Sequence, residues 1–160
     1  MRGFTLVEVL VSAAILGILA AGIYGVLDAG NKMYYNDMGL LELQQSVRQG
    51  MEAMINELRE AGNIQITTLD NDTDQILFNS YKGIGVQYYR DINDINSDGI
   101  VNQIIREYPL GSRRVLANNV TRLKFLHTSH YLTIEIRTEK TIRQRPLSFS
   151  LKENVALRNE

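Results

Sequence analysis

The sequence predicts an α+β protein in which one long N-terminal helix packs on an antiparallel β-sheet. Three observations carry that prediction. The stretch Val9 to Leu27 (VLVSAAILGILAAGIYGVL) runs for 19 residues without a charge. Apolar residues then recur every three or four positions through Leu40, Leu43, Val47, Met51, Met54 and Leu58, the period of one helix face. Beyond Gly62 the period falls to two, as in Leu132, Ile134 and Ile136, which marks strands with one buried and one wet face.

The elements follow in order. Residues 1–3 are a short leader and residues 4–27 the apolar first half of the helix. Residues 28–62 are its amphipathic continuation. Residues 63–160 are β-rich and form one domain with 28–62. No Pro precedes Pro109, so nothing forces a break in the first sixty residues. A helix from Phe4 to Ala61 would be about 87 Å long at 1.5 Å per residue. A domain of this size cannot enclose it, so the first half must lie in lipid or against other chains. About 20 apolar residues cross a bilayer, which makes Val9–Leu27 a membrane segment. Gly62 in Ala61-Gly62-Asn63 supplies the left-handed stop. Strands are expected over Gln75–Ser80, Ile84–Arg90 and Gln103–Tyr108, and in the alternating runs around Leu123, Leu132 and Leu147. Asp98-Gly99 and Thr128-Ser129 are turn signals.

Composition narrows the function. The 160 residues carry 17 Lys+Arg against 18 Asp+Glu, a formal charge of −1. That balance argues against a polybasic nucleic-acid binder and against an acidic disordered tail. The absence of Cys excludes a disulfide scaffold, a thiolate zinc site and a cysteine nucleophile. The even total hides an asymmetry. Residues 63–99 hold six Asp against Lys82 and Arg90, while residues 100–160 hold 11 Lys+Arg against five Glu. Two solvated faces of one domain explain this best, and charge-matched contacts between neighbouring copies are the sharper alternative. No nucleophile motif, phosphate loop or metalloprotease signature occurs, so the chain reads as a non-enzyme.

Glu8 is the only carboxylate at the start of the apolar helix, where an ionised group needs a partner or a function. Gly3-Phe4-Thr5-Leu6-Val7-Glu8 closely resembles the processing signal of type IV pilins and pseudopilins, the class III signal peptides. The resemblance implies a cut by prepilin peptidase between Gly3 and Phe4, methylation of the new N-terminal Phe4, and retention of the apolar helix. It also implies that Thr5 and Glu8 serve assembly, with Glu8 pairing with the N-terminal amine of an adjacent subunit as a register device. Small residues Ala13, Ala14, Gly17, Ala20 and Ala21 permit close helix approach.

The leader Met1-Arg2-Gly3 is short for the family, the membrane half lacks Pro, and no disulfide can form. These features, with Ser46–Gly62 and Val155–Asn159, look more like a minor pseudopilin of a type II secretion system or a related minor pilin. The implied partners are other pilin subunits, the prepilin peptidase, the inner-membrane assembly platform and the membrane. The implied place is the bacterial inner membrane, crossed once, with the globular part outside the cytoplasm. The rival reading is a pilus-tip binding module for DNA uptake or adhesion, using Arg113, Arg114, Arg122 and Lys124.

Asp94, Asn96 and Asp98 before Gly99 look like the first half of a calcium loop. The twelfth position from Asp94 is Ile105, where an acid would be expected, so a polar turn between strands is favoured over a Ca2+ site. No other cofactor is expected. His127 and His130 lack a third ligand, and Tyr34-Tyr35 and Tyr88-Tyr89 read as packing residues.

Overall fold

The computed structural model describes residues 5–158. The chain divides into two compact units, residues 1–38 and residues 39–160. Helix α1 runs unbroken over Leu6–Leu58, so the six glycines of its sequence do not interrupt it. It contributes residues to both units.

In the second unit the helix buries one stripe. Leu43, Val47, Met51, Met54 and Leu58 are at most 2% exposed, while Arg48, Glu52, Asn56 and Arg59 face water. The three-to-four spacing therefore predicts the buried face correctly. Two glycines let the helix approach its neighbours. A Cβ on Gly50 would sit 3.0 Å from Ala117 Cβ and 3.1 Å from the Leu116 carbonyl oxygen. A Cβ on Gly39 would press on the flexible tip of Ile142. The helix ends one turn earlier than the sequence suggests, and the left-handed residue is Asn63 (φ 52°), not Gly62. Asn tolerates that conformation through its short polar side chain.

Among the described residues the strands are β1 (Gly62–Thr68), β2 (Asp74–Ser80), β3 (Gly83–Asp91), β4 (Gln103–Glu107), β5 (Arg113–Ala117), β6 (Val120–Thr128), β7 (Tyr131–Ile142) and β8 (Arg145–Ala156). They form two antiparallel sheets, a five-stranded meander β1-β2-β3-β4-β5 and a three-stranded meander β6-β7-β8. One parallel bridge, Thr73 to Leu123, joins them. The core lies between the helix stripe and both sheets, with Ile76, Phe78, Val86 and Tyr88 from one sheet and Leu123, Leu132, Ile134 and Ile136 from the other. The alternation around residues 123, 132 and 147 has the expected inward faces. Strands β1 and β5 are additions to the sequence reading: β1 alternates over the short run Asn63–Thr67, with Ile64 and Ile66 half-buried, and β5 carries no alternation.

The β1–β2 turn is bolted to β6. Lys124 Nζ lies 3.0 Å from Asp74 Oδ1, and the Phe125 amide donates to Asp74 Oδ2 at 3.0 Å. Arg122 pairs with Asp72 at 3.3 Å. Part of the charge asymmetry is thus spent within the chain, acidic middle against basic end.

Candidate functional site

Gly3 and Phe4, the expected cleavage and methylation positions, lie outside the described residues. The first described group is Thr5, followed by the helix start at Leu6. The Thr5 amide donates to Glu8 Oε2 at 2.9 Å, and the Thr5 hydroxyl donates to the same oxygen at 2.9 Å. In return the Glu8 amide donates to Thr5 Oγ1 at 3.3 Å. This reciprocal pattern is a capping box: residue and helix terminus satisfy each other's free groups. The sequence carries its signature, Thr5-x-x-Glu8, which the reading by charge alone passes over. Glu8 therefore has an intrachain partner at the helix start, and Thr5 is the residue that holds it. Both of these bonds from Thr5 fall on Oε2.

Beyond this cap the helix is apolar on all sides. Leu6, Leu10, Leu16, Ile18, Ile23 and Val26 are all more than half exposed, and Gly17, Gly22 and Gly25 have open space where a Cβ would stand. The helix is long and apolar enough to cross a membrane, with none of its most apolar window buried. Asp28 and Lys32 close the apolar run with a one-turn ion pair at 2.6 Å. Tyr34 and Tyr35 follow, edge to face at 5.8 Å.

The calcium-loop candidate lies between β3 and β4. Asp94 accepts the amides of Asp98 at 3.2 Å and Gly99 at 2.8 Å. Asp98 accepts from the Asn96 side chain at 2.7 Å and the Ile100 amide at 2.8 Å, and these bonds hold its carboxyl below the usual range. Gln103, fully buried, ties the loop together. Its oxygen takes the Ile95 amide, and its nitrogen reaches Asn96 and Asn118 at 2.8 and 3.1 Å. Asp94, Asn96 and Asp98 thus share one loop, with oxygens engaged by its own donors. Among the described residues no three His, Cys, Asp or Glu side chains converge as metal ligands.

Sequence reasoning also missed Glu57. It sits on the helix side facing β3 and β4, 3% exposed. Arg106 grips it with two bonds of 2.7 and 2.8 Å. Tyr88 donates its hydroxyl to the same carboxylate, and Ser80 does so at 3.0 Å. Burial pushes the Glu57 carboxyl up, but Arg106 and the two hydroxyls outweigh it and bring it down to about 2. Burial and the Glu57 carboxylate push Tyr88 up. Tyr89 points elsewhere, to Glu107 at 2.7 Å, so the tyrosine pair is split between two environments. The Tyr89 hydroxyl is pushed up to about 12 by its burial and by Glu107. These groups fasten helix to sheet. His130 lies beside Ser129 at 3.2 Å in the β6–β7 turn.

Residues 1–24 match the family model described as the prokaryotic N-terminal methylation motif. No curated protein and no solved structure matches the chain. The match covers the start of helix α1, which is long and apolar enough to cross a membrane.

Proposed function

We propose that this type IV pilin-like chain is a structural filament subunit, a minor pseudopilin of a type II secretion system or a closely related minor pilin. The observation that carries the reading is the methylation motif of residues 1–24 continuing into an exposed, uninterrupted apolar helix. The helix anchors the unassembled subunit in the inner membrane, with the globular part outside the cytoplasm. Prepilin peptidase cuts after Gly3 and methylates Phe4, and the assembly platform moves the helix from lipid into a helical bundle. Lipid and neighbouring helices are alike in polarity, so packing of small and branched side chains drives the transfer.

Glu8 gives the transfer its register. Within one chain its carboxylate is already hydrogen-bonded by Thr5, which makes it tolerable near an apolar helix end. The amine exposed at Phe4 by cleavage is a stronger, charged donor. A neighbour presents such an amine only at the correct stagger. The role is structural, and no residue is assigned to catalysis.

The tip-binding alternative draws less support. Arg122 and Lys124 are committed to Asp72 and Asp74 and Arg113 to Glu107, so of the four cations only Arg114 is left outside an ion pair among the described residues for a nucleic-acid backbone.

The experiment is intact mass and N-terminal sequencing of the full chain from membranes with and without active prepilin peptidase. The expected product begins at N-methyl-Phe4. A chain still starting at Met1 with active peptidase present would reduce the motif to a membrane anchor and remove the filament reading.

A further inference from the structure

We propose that the tip of the β7–β8 hairpin binds the phosphate headgroups of an anionic bilayer, with Arg143 and Arg145 as its cations. The proposal rests on the membrane-anchored subunit of the filament reading, and it adds a second point of attachment, on the globular part.

Contacts within the second unit place the tip. A Cβ on Gly39 would clash with Ile142 and stand 3.3 Å from Leu147 Cδ1, so both arms of the hairpin cover that glycine. Two residues before Ile142 on β7, Lys140 reaches Glu42 at 2.7 Å. Passing from Lys140 to Ile142 therefore moves from Glu42 to Gly39, toward the N-terminal end of the helix. The turn at Arg143-Gln144 lies beyond that point. Gly39 is also the first residue of the second unit. Chain connectivity alone keeps the tip close to where the first unit ends.

The first unit shows where a bilayer surface falls. Its uncharged stretch ends at Leu27. Beyond it Met33, Tyr34, Tyr35 and Met38 are 47–67% exposed, and Tyr is a residue of membrane–water interfaces. The twelve residues from Leu27 to Gly39 rise about 18 Å, against an interfacial layer about 5–7 Å deep on each side of the hydrocarbon. The turn beyond Ile142 and the length of an Arg side chain close most of the difference. Charge then acts over roughly 8 Å more at physiological salt.

The chemistry of the tip selects the ligand. Residues 140–151 hold three cations and no acid, and residues 143–146 are exposed. Lys140 is engaged by Glu42, whereas Arg145 stands opposite Ile142 and makes no ion pair among the described residues. Asp37 is two residues from Gly39, about 200° round the helix, and so on its far side. Arg suits phosphate because its planar fork of donors matches two oxygens at once. The backbone adds an independent mark. Arg143 and Gln144 are both left-handed, at φ 47° and 67°, a turn that Asn-Gly makes with less strain. Strain kept under a long cationic side chain marks a use for that side chain.

The chain has no Cys, so Gln144→Cys puts one dye at the tip and Ser129→Cys puts one in the β6–β7 turn, at the other end of β7. Full-length chains from cells with active prepilin peptidase are reconstituted in vesicles whose lipids carry a headgroup quencher. With about one-third phosphatidylglycerol in phosphatidylcholine, the tip dye should be quenched and the dye at residue 129 spared. Each cation favours an anionic surface roughly fivefold, so Arg143→Gln with Arg145→Gln should weaken the contact roughly 25-fold and free the tip dye. Pure phosphatidylcholine or high salt should do the same. Both arginines are exposed, so the double variant should unfold as the parent does. Quenching that is equal in phosphatidylcholine, or that survives the double substitution, overturns the proposal, as does an unquenched tip with phosphatidylglycerol present. Flotation with the vesicles and the mass of the N-terminus are read from the same samples. A quenched tip on a chain the peptidase leaves uncut keeps the lipid contact and removes the filament reading alone. A chain that does not float removes both.

Discussion

Residues 6–38 and residues 39–58 belong to one unbroken helix, yet their side chains meet opposite conditions. In the first stretch, as far as Leu27, Leu, Ile and Val occupy every side and stay exposed; in the second a single stripe is apolar and buried. The glycines differ in the same way. Gly17, Gly22 and Gly25 have open space around them, while Gly50 lies against the β5 backbone. The difference teaches that polar residues, more than apolar ones, report what surrounds a helix. Where Gln44, Arg48 and Glu52 mark a wet side, the opposite side has a protein partner. Where no polar residue marks a side, the whole surface is matched to lipid or to other helices.

The largest expected effect comes from breaking the ion pair that belongs only to the packed stretch. Arg106→Leu leaves the Glu57 carboxylate buried with two hydroxyls and no cation. Removing one partner of a buried pair costs about 3–5 kcal/mol, which thermal or denaturant unfolding would measure. The pH dependence should change sign with it. In the parent chain the Glu57 carboxyl lies at about 2, below its ordinary 4.5. Its stabilisation is therefore complete above pH 4.5 and is lost as pH falls toward 2. Without Arg106, burial dominates and raises that carboxyl, so the variant should regain stability relative to the parent as pH falls. A parallel loss at every pH would mean that Arg106 acts through packing alone.

The next contrast places one substitution in both stretches. Gly50→Val drives a branched side chain into Ala117 and the Leu116 carbonyl, and overpacking of this kind costs about 1–3 kcal/mol. Gly22→Val meets nothing within 4 Å and should leave the unfolding of residues 39–160 unchanged. Equal losses from the two variants would erase the distinction between the stretches.

How much of this was legible in the sequence depends on the reach of each signal. The helix stripe and the strand faces at residues 123, 132 and 147 repeat over several periods and survive local exceptions. Strand β5 (RRVLA) has two arginines where alternation would need one apolar residue, and the partnership of β4 and the helix that creates it is not local. The β7–β8 hairpin turns at Arg143-Gln144, both left-handed at φ 47° and 67°. No Asn-Gly or Gly signal announces that turn, and the long pairing of β7 with β8 imposes it. Glu57 falls among polar residues in the sequence, and only the fold brings Arg106 to it from 49 positions away. At the N-terminus the processing signal was readable because it is contiguous. The calcium-like loop was readable as a loop, but the organising role of Gln103 depends on where β4 begins.

The smallest expected effect sits at the other end of the comparison. Thr5→Ala removes the hydroxyl that accepts the Glu8 amide and donates to the Glu8 carboxylate. Loss of a side-chain cap costs about 1 kcal/mol at the helix terminus. That cost should stay local, because the first stretch has its own unit and its own surroundings. Hydrogen exchange of the full chain in vesicles should then show faster exchange at the first helical amides and no change across residues 39–158. Assembly gives an independent reading of the same bond. If Thr5 orients Glu8 for a neighbour, Thr5→Ser retains incorporation into filaments and Thr5→Ala reduces it, although both chains carry the carboxylate. Equal incorporation of the two variants would leave Thr5 as a helix cap only, with Glu8 finding its partner unaided.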